Sequence, residues 1–280
     1  MNKSAVISHN IFNSIFVIPT LNLLALFLVM FNAIHLPGAF GFSIIALVLL
    51  VRMLLHPVFV QMIKSQQKIA EIKPHLDKLQ AKHKKDPKML QQEQMRLYKE
   101  AGINPASGCL TAIIQMPVFI GLYSTLNIFL HDGTSAKAIN EINKILYIPA
   151  LKIQHVDTHF FGLNLAVSPQ KAGMWFYYLV PVVTGLLQYA QAKYATPQAL
   201  TPATPAPKKS DKKLAVKGEE PEEKKDSQGD FQKAMNTQMK YFFPFMIGYF
   251  AFTLPVGLSL YWNIFSIFSI LQYRRVSKSS

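Results

Sequence analysis

The sequence predicts an all-α polytopic membrane protein, and three features of composition and charge support that prediction. Half of the 280 residues are hydrophobic and only 16% are charged, whereas soluble domains carry about 25% charged residues. The chain is nevertheless basic, with 29 Lys and Arg against 15 Asp and Glu. The basic residues lie between apolar runs of roughly 20 residues, the length that a helix needs to cross a bilayer. A single cysteine excludes a disulfide-stapled secreted domain.

Five apolar runs are predicted to span the membrane. They are residues 39–61, 105–130, 174–193, 239–255 and 257–273. The last two are separated only by a turn at Pro255 and Val256, so they form an antiparallel hairpin. A further run, 16–34, lies in the N-terminal segment 1–38, and its composition allows either a sixth span or a helix in the outer interface.

The basic residues set the predicted orientation. Residues 61–104 and 193–240 hold ten Lys or Arg each and the tail 274–280 holds three, whereas 131–173 holds four. Because basic loops stay in the cytoplasm, segments 62–104 and 194–238 and the tail are expected inside. Segment 131–173 is expected outside.

Segment 62–104 is predicted to be a cytoplasmic helical hairpin. Pro74 weakens its first helix, Asp86 and Pro87 are typical of the start of its second, and Gly102 is a stop signal. The hairpin either only stabilises itself or docks on lipid headgroups or a partner. The candidate docking residues are Lys64, Lys68, Lys84, Lys85 and Arg96.

Segment 194–238 is predicted to be a disordered cytoplasmic loop. It is rich in Ala, Thr and Pro at first and then mixes Lys with Glu, with few apolar residues to bury. Between residues 195 and 230, acidic residues lie among the lysines and no aromatic residue is interleaved with them. Direct nucleic-acid specificity is therefore not expected.

Arg52 is the most informative residue of the chain. It lies 12 positions before Lys64, which is about 18 Å along a helix and too deep for its side chain to reach the cytoplasmic face. A charge at that depth costs about 2.5–3.5 kcal/mol, and none of the predicted spans contains an acidic residue that could pair with it. The sequence therefore favours a water-filled cavity around Arg52 over a buried ion pair.

Polar side chains recur on one face of three predicted spans. One stripe alone is typical of hydrogen bonding between helices, but three stripes and an unpaired arginine favour a hydrophilic groove within the bilayer. The stripes are Ser107, Thr111 and Gln115; Thr184, Gln188 and Gln191; and Ser259, Asn263 and Ser266, the last beside Tyr261 and Trp262.

Catalytic signals do not occur in the sequence. It has neither a phosphate-binding G-x-x-x-x-G-K-[ST] motif nor an H-E-x-x-H motif, so neither enzyme activity nor a cofactor is expected. His155 and His159 flank Asp157 in the external segment, but this spacing is only a weak indication of a metal site, and no metal is predicted.

Three blocks of sequence resemble the YidC/Oxa/Alb membrane insertase family. The first runs from Gly41 to Pro57 and contains Arg52, the second runs from Gly102 to Phe119, and the third joins Phe243-Pro244 to the run Leu254 to Trp262. Together with the basic hairpin and the five-span topology, the resemblance covers roughly residues 17–273. The chain looks like the short bacterial form of the family.

The resemblance implies five transmembrane helices around a groove that is open to the cytoplasm and to lipid but sealed outside. It places the helix at 16–34 in the outer interface. Arg52 matches the groove arginine of the family, Gln115 the groove glutamine and Trp262 an aromatic residue of the last helix. The implied function is an insertase and chaperone that inserts and helps fold newly made integral membrane proteins without hydrolysing a nucleotide.

The implied partners are nascent membrane proteins and the lipid bilayer, with the Sec translocon, the ribosome and the signal recognition particle machinery as further candidates. The implied location is the bacterial cell membrane, with several spans and a cytoplasmic C-terminus. A long loop at 195–236 and a short tail depart from the family pattern. Two alternatives stay open from the residues alone: a small-solute channel or transporter, and an anchor for ribosomes or nucleic acid at the cytoplasmic face.

Overall fold

The structure is a computed structural model that describes residues 10–83, 86–103, 107–132, 136–195 and 241–278. These residues are mostly helical, in agreement with the all-α prediction. The first half contains α1 (Ile18–Ala33), α2 (Ala39–Leu54), α3 (His56–Glu71), α4 (Lys73–Lys82), α5 (Pro87–Glu100) and α6 (Ser107–Asn127). The second half contains α7 (Ala136–Lys144), β1 (His159–Phe160), β2 (Leu163–Asn164), α8 (Pro169–Ala172), α9 (Leu179–Ala195), α10 (Phe243–Thr253) and α11 (Val256–Lys278).

The predicted span 39–61 corresponds to two helices rather than one. The chain bends by 64° between α2 and α3, and Leu55 lies at the break. Pro57 explains the bend, because its ring has no N–H to donate and clashes with the carbonyl four residues earlier. The break lies three residues after Arg52, so the arginine is in the last turn of α2.

The N-terminal helix is the described helix that most resembles a membrane span. Among the described residues, the continuous helix Asn13–Ala33 is long and apolar enough to cross a bilayer, and the bent α2–α3 pair also qualifies if it counts as one span. Met116–Leu130 and Phe243–Thr253 are shorter apolar helices. The interfacial position of 16–34 and the five-span arrangement both stay predictions.

A single apolar core joins these helices. Most of its fully buried side chains come from α1, α2, α6 and α11, and the segment after α6 contributes Phe129, Ile142 and Leu165. The core members with least exposure include Leu21, Leu24, Leu28, Phe40, Ile44, Leu47, Leu126, Phe129 and Leu258. The helices that carry Arg52 and the polar residues of α11 are therefore held together by a closely packed core.

The helix start and stop signals predicted within segment 62–104 lie at helix ends in the structure. Asp86 caps α5 by accepting a hydrogen bond from the backbone N–H of Met89 at 3.0 Å, and Pro87 is the first helical residue. Gly102 follows the helix at a positive φ of 63°, a conformation that glycine adopts without strain. The chain also breaks at Ile72, just before Pro74. These local predictions are confirmed.

The segment after α6 folds over one end of the bundle, and it contains the small β-hairpin that the sequence analysis did not predict. The ring of Phe160 packs so tightly on α2 that a Cβ atom at Gly41 would lie 2.2 Å from its Cδ2 atom. Asn22 of α1 holds the same segment, because its Oδ1 accepts from the N–H of Tyr147 at 2.7 Å and its Nδ2 donates to the carbonyl of Ile145 at 3.2 Å. The predicted disordered loop, 194–238, lies almost entirely outside the described residues.

Candidate functional site

Arg52 is buried between α2, α3 and α11, with 3% of its surface exposed. Its Nη2 donates to the carbonyl of Phe265 at 3.1 Å and to the hydroxyl of Ser269, and its Nη1 lies 3.5 Å from Oε1 of Gln272. The Ser269 hydroxyl donates in turn to the Phe265 carbonyl at 2.9 Å. The arginine is thus held mainly by neutral acceptors of the last helix.

Aromatic rings complete this environment. The guanidinium carbon lies 3.7 Å from the centroid of the Phe265 ring and 4.4 Å from that of Phe59. The negative faces of aromatic rings attract a cation without neutralising it. No carboxylate of the described residues lies within ion-pair distance of Arg52, so none of them neutralises its charge.

Arg52 also borders a small cavity of about 30 Å³, which is room for a water molecule. Tyr261 lies at the same cavity, so two of the predicted site residues are brought together there. The Nε atom of Arg52 is buried without a hydrogen-bond partner among the described residues. The remaining lining is mostly apolar and consists of Thr20, Leu47, Val48, Val51, Leu55, Phe59, Val118, Leu122 and Phe265.

The predicted stripe Ser259, Asn263 and Ser266 lies on a different face of α11. At 3.6 residues per turn it is about 120° around the helix from the face formed by Phe265, Ser269 and Gln272. The side-chain oxygens of all three stripe residues are buried and lack a hydrogen-bond partner among the described groups. Gln191, on the neighbouring helix α9, has a buried Oε1 in the same condition. Buried polar atoms are ordinarily hydrogen-bonded, so this face is chemically incomplete.

The other predicted groove residues are distributed over three helices. Trp262 is buried and stacks on Phe119 of α6, with ring centroids 5.8 Å apart. Gln188 is half-buried on α9. Thr111 and Gln115 lie on α6, but their side chains fall outside the described part of the chain.

The predicted docking residues that the structure describes lie on two helices. Lys64 and Lys68 are exposed on α3, whereas Arg96 is exposed on α5 and pairs with Glu100 at 2.8 Å and Glu93 at 3.9 Å. The hydrogen bond to Glu100 raises the pKa of Arg96 further above its usual value. Lys84 and Lys85 lie outside the described residues.

At the weak metal candidate of segment 131–173, the described contact is an exposed hydrogen-bonded pair of His159 and Asp157. The His159 Nδ1 atom lies 2.8 Å from Oδ1 of Asp157, which also accepts from the His159 backbone N–H at 3.0 Å. These two contacts hold the pKa of Asp157 below its usual range. Among the described residues, no three His, Cys, Asp or Glu side chains are close enough to hold a metal ion.

Sequence reasoning missed the partners of Arg52. Phe265, Ser269 and Gln272 recur at four- and three-residue steps on α11, and this spacing was the available signal. These residues do not continue the predicted stripe of Ser259, Asn263 and Ser266, which lies on a different face of the helix. Nothing in the sequence indicated that Phe59 and His56, beyond the bend, would also approach this site.

Comparison with known proteins agrees with the resemblance of the three sequence blocks. The family model described as "60Kd inner membrane protein" matches residues 29–280. The "Membrane protein insertase YidC" of Oceanobacillus iheyensis is 30% identical over 275 residues, which are 97% of this chain and 85% of that protein. The "Inner membrane protein ALBINO3, chloroplastic" of Arabidopsis thaliana is 29% identical over 86% of this chain, and the YidC of Streptomyces avermitilis is 30% identical over 86%.

The match extends over unequal shares of these relatives. The aligned region covers 47% of the Arabidopsis protein and 52% of the Streptomyces protein, so the chain spans about half the length of these relatives. Relatives from bacteria and from chloroplasts both align over most of this chain. The family model matches nine-tenths of the sequence, and several of the relatives are named insertases. The chain belongs to the YidC/Oxa/Alb family, the family of the 60Kd inner membrane protein.

Proposed function

We propose that this protein inserts newly made integral membrane proteins into the bilayer and helps them fold, without acting as an enzyme on a nucleotide. The observation that carries the proposal is the buried charge of Arg52, which is surrounded by neutral acceptors and aromatic rings. An arginine that served only to stabilise the bundle would be better placed beside a carboxylate. A full positive charge held inside a membrane protein is suited to attract an acidic or polar segment of another chain.

The groove would act by reducing the cost of desolvation. A hydrophilic segment of the substrate enters from the cytoplasm and meets Arg52 and Tyr261, then the polar face with Ser259 and Asn263. We infer that Thr111, Gln115, Gln188 and Trp262 line the rest of the groove. The apolar span of the substrate then leaves sideways into lipid, and its burial there supplies the driving force.

The cytoplasmic hairpin would receive the substrate or the machinery that delivers it. Its exposed cations include Lys64, Lys68 and Arg96, and the sequence adds Lys84 and Lys85 to this proposed set. Nascent membrane proteins and lipid are the proposed direct partners, and the Sec translocon, the ribosome and the signal recognition particle are the proposed suppliers. We further propose that the protein lies in the bacterial cell membrane with five spans and a cytoplasmic C-terminus.

Proteoliposomes that contain the purified protein test the proposal. Two substrates that differ only in an acidic or a neutral translocated tail are inserted by the natural protein, Arg52→Lys and Arg52→Ala. We expect Arg52→Ala to lower the preference for the acidic tail about tenfold, or about 1.4 kcal/mol, and Arg52→Lys to retain most of it. Equal insertion of both tails by all three proteins would refute the electrostatic role. Solute flux without insertion would instead identify a channel.

A further inference from the structure

A chain of hydrogen bonds runs from the buried arginine to the surface of the bundle. Arg52 Nη1 lies 3.5 Å from Oε1 of Gln272, and Nε2 of Gln272 lies 3.0 Å from Nδ1 of His56. Gln272 is 5% exposed, whereas His56 is exposed. Arg52 belongs to α2, Gln272 to α11 and His56 to α3. The hydrogen bonds therefore connect the two sides of the bend that follows Arg52.

The chemistry of the groups fixes the direction of every proton in this chain. A guanidinium has only N–H donors, so the oxygen of the Gln272 amide must face Arg52. The amide nitrogen then faces His56 and donates to it, because the lone pair of a carboxamide nitrogen is delocalised into the carbonyl and does not accept a hydrogen bond. His56 Nδ1 is therefore an acceptor, and the ring proton of the neutral imidazole lies on Nε2.

We propose that Gln272 and His56 are positioning residues, which hold the Arg52 guanidinium in place while leaving its charge uncompensated. The proposal rests on the proposed function of Arg52 as the charge that attracts acidic segments. A glutamate at position 272 would bind the guanidinium more strongly, but it would cancel the charge. A glutamine gives orientation alone, and His56 prevents the amide from rotating its N–H groups toward Arg52.

A second hydrogen bond between the same two helices supplies a matched control. The hydroxyl of Tyr273, the residue after Gln272, donates to Oε1 of Gln66 on α3 at 3.0 Å. This bond ties α11 to α3 as the Gln272–His56 bond does, but it does not lead to Arg52. If Gln272 served only to join α11 to α3, the loss of the Tyr273 hydrogen bond should therefore have the same effect as the loss of the Gln272 hydrogen bond.

The experiment measures the preference for acidic over neutral tails in proteoliposomes. We expect Gln272→Glu to lower it about tenfold, equivalent to about 1.4 kcal/mol, with neutral-tail insertion retained. His56→Asn keeps an oxygen acceptor and should keep the preference, His56→Lys offers only donors and should lower it, and Tyr273→Phe should leave it unchanged. An unaltered preference in Gln272→Glu, or an equal loss in Tyr273→Phe, would overturn the proposal.

A second measurement separates this proposal from the proposed function. The melting temperature in lipid nanodiscs is compared for Gln272→Met in the natural protein and in Arg52→Met. If Gln272 serves Arg52, the substitution lowers the melting temperature only while the arginine is present. Equal losses in both backgrounds would reject the positioning role whatever the insertion assay shows. Coupled melting temperatures with no tail preference in any variant would instead reject the proposed function alone.

Discussion

The two polar faces of α11 differ in how completely their hydrogen bonds are made. On the face with Phe265, Ser269 and Gln272, the acceptors are bonded to Arg52. On the face with Ser259 and Ser266, both residues are fully buried, yet their hydroxyls bond to nothing among the described groups. One face of the helix therefore has its acceptors bonded, whereas the other face, about a third of a turn away, has buried oxygens without partners among the described groups.

The difference indicates two separate tasks. The face whose acceptors are bonded is rigid, because moving Arg52 would break several contacts at once, and a charge held in this way acts at a fixed position. A face of unpartnered hydroxyls has no preferred internal partner, so it can bond to whatever polar group reaches it. We infer that the first face provides the charge that attracts a substrate, and that the second provides hydrogen bonds that a passing segment uses in turn.

The largest effect is expected from the two serines that are three residues apart on α11. Ser269→Ala removes a hydroxyl that accepts from a buried cation, so the free energy of unfolding should fall by about 2 kcal/mol. Ser266→Ala removes an unpartnered hydroxyl, so it should leave stability unchanged or raise it. Thermal unfolding of both variants in nanodiscs measures the contrast. Because the two substitutions are chemically identical, equal losses would mean that the two faces do not differ.

A smaller effect is expected at the aromatic ring that contacts the cation. Phe265→Leu keeps an apolar side chain but removes the ring face beneath Arg52, and we expect a loss of about 1 kcal/mol. Phe119→Leu is the control, since the Phe119 ring stacks on Trp262 and lies tilted against Tyr261, and among the described residues no cation lies over it. In the Arg52→Met background the two leucine variants should lose similar stability. A Phe265→Leu loss that persists without the arginine would show that the ring serves packing alone.

The sequence predicted the helices of this fold better than the break between α2 and α3. The distribution of charge and the length of the apolar runs predicted the helices. Capping residues predicted the start of α5 at Asp86 and its end at Gly102. The break at Leu55 was missed although Pro57 was visible, because prolines occur within membrane spans and the apolar run continues through it. The β-hairpin at 159–164 was missed because its two strands have two residues each, too few for any periodicity.

The candidate site was predicted in part for a physical reason. Arg52 was found because a charge in an apolar run is costly wherever its partners lie. Its partners Ser269 and Gln272 are more than 200 residues away in sequence, and short polar residues near a helix end resemble ordinary interfacial residues. The role of such residues depends on which helix packs against them, and one sequence does not contain that information.

The smallest effect is expected at a second arginine whose surroundings are the reverse of those of Arg52. Arg96 is exposed on the hairpin and has two carboxylates for partners, whereas Arg52 is buried and has none among the described residues. Exposed ion pairs gain little because water and salt screen them. Arg96→Gln should therefore leave the melting temperature unchanged at low and at high salt, while Arg52→Gln lowers it at both. A salt-dependent fall of the melting temperature in Arg96→Gln would show that the hairpin charges stabilise the fold. Fewer of the positive charges of the hairpin would then be available for docking.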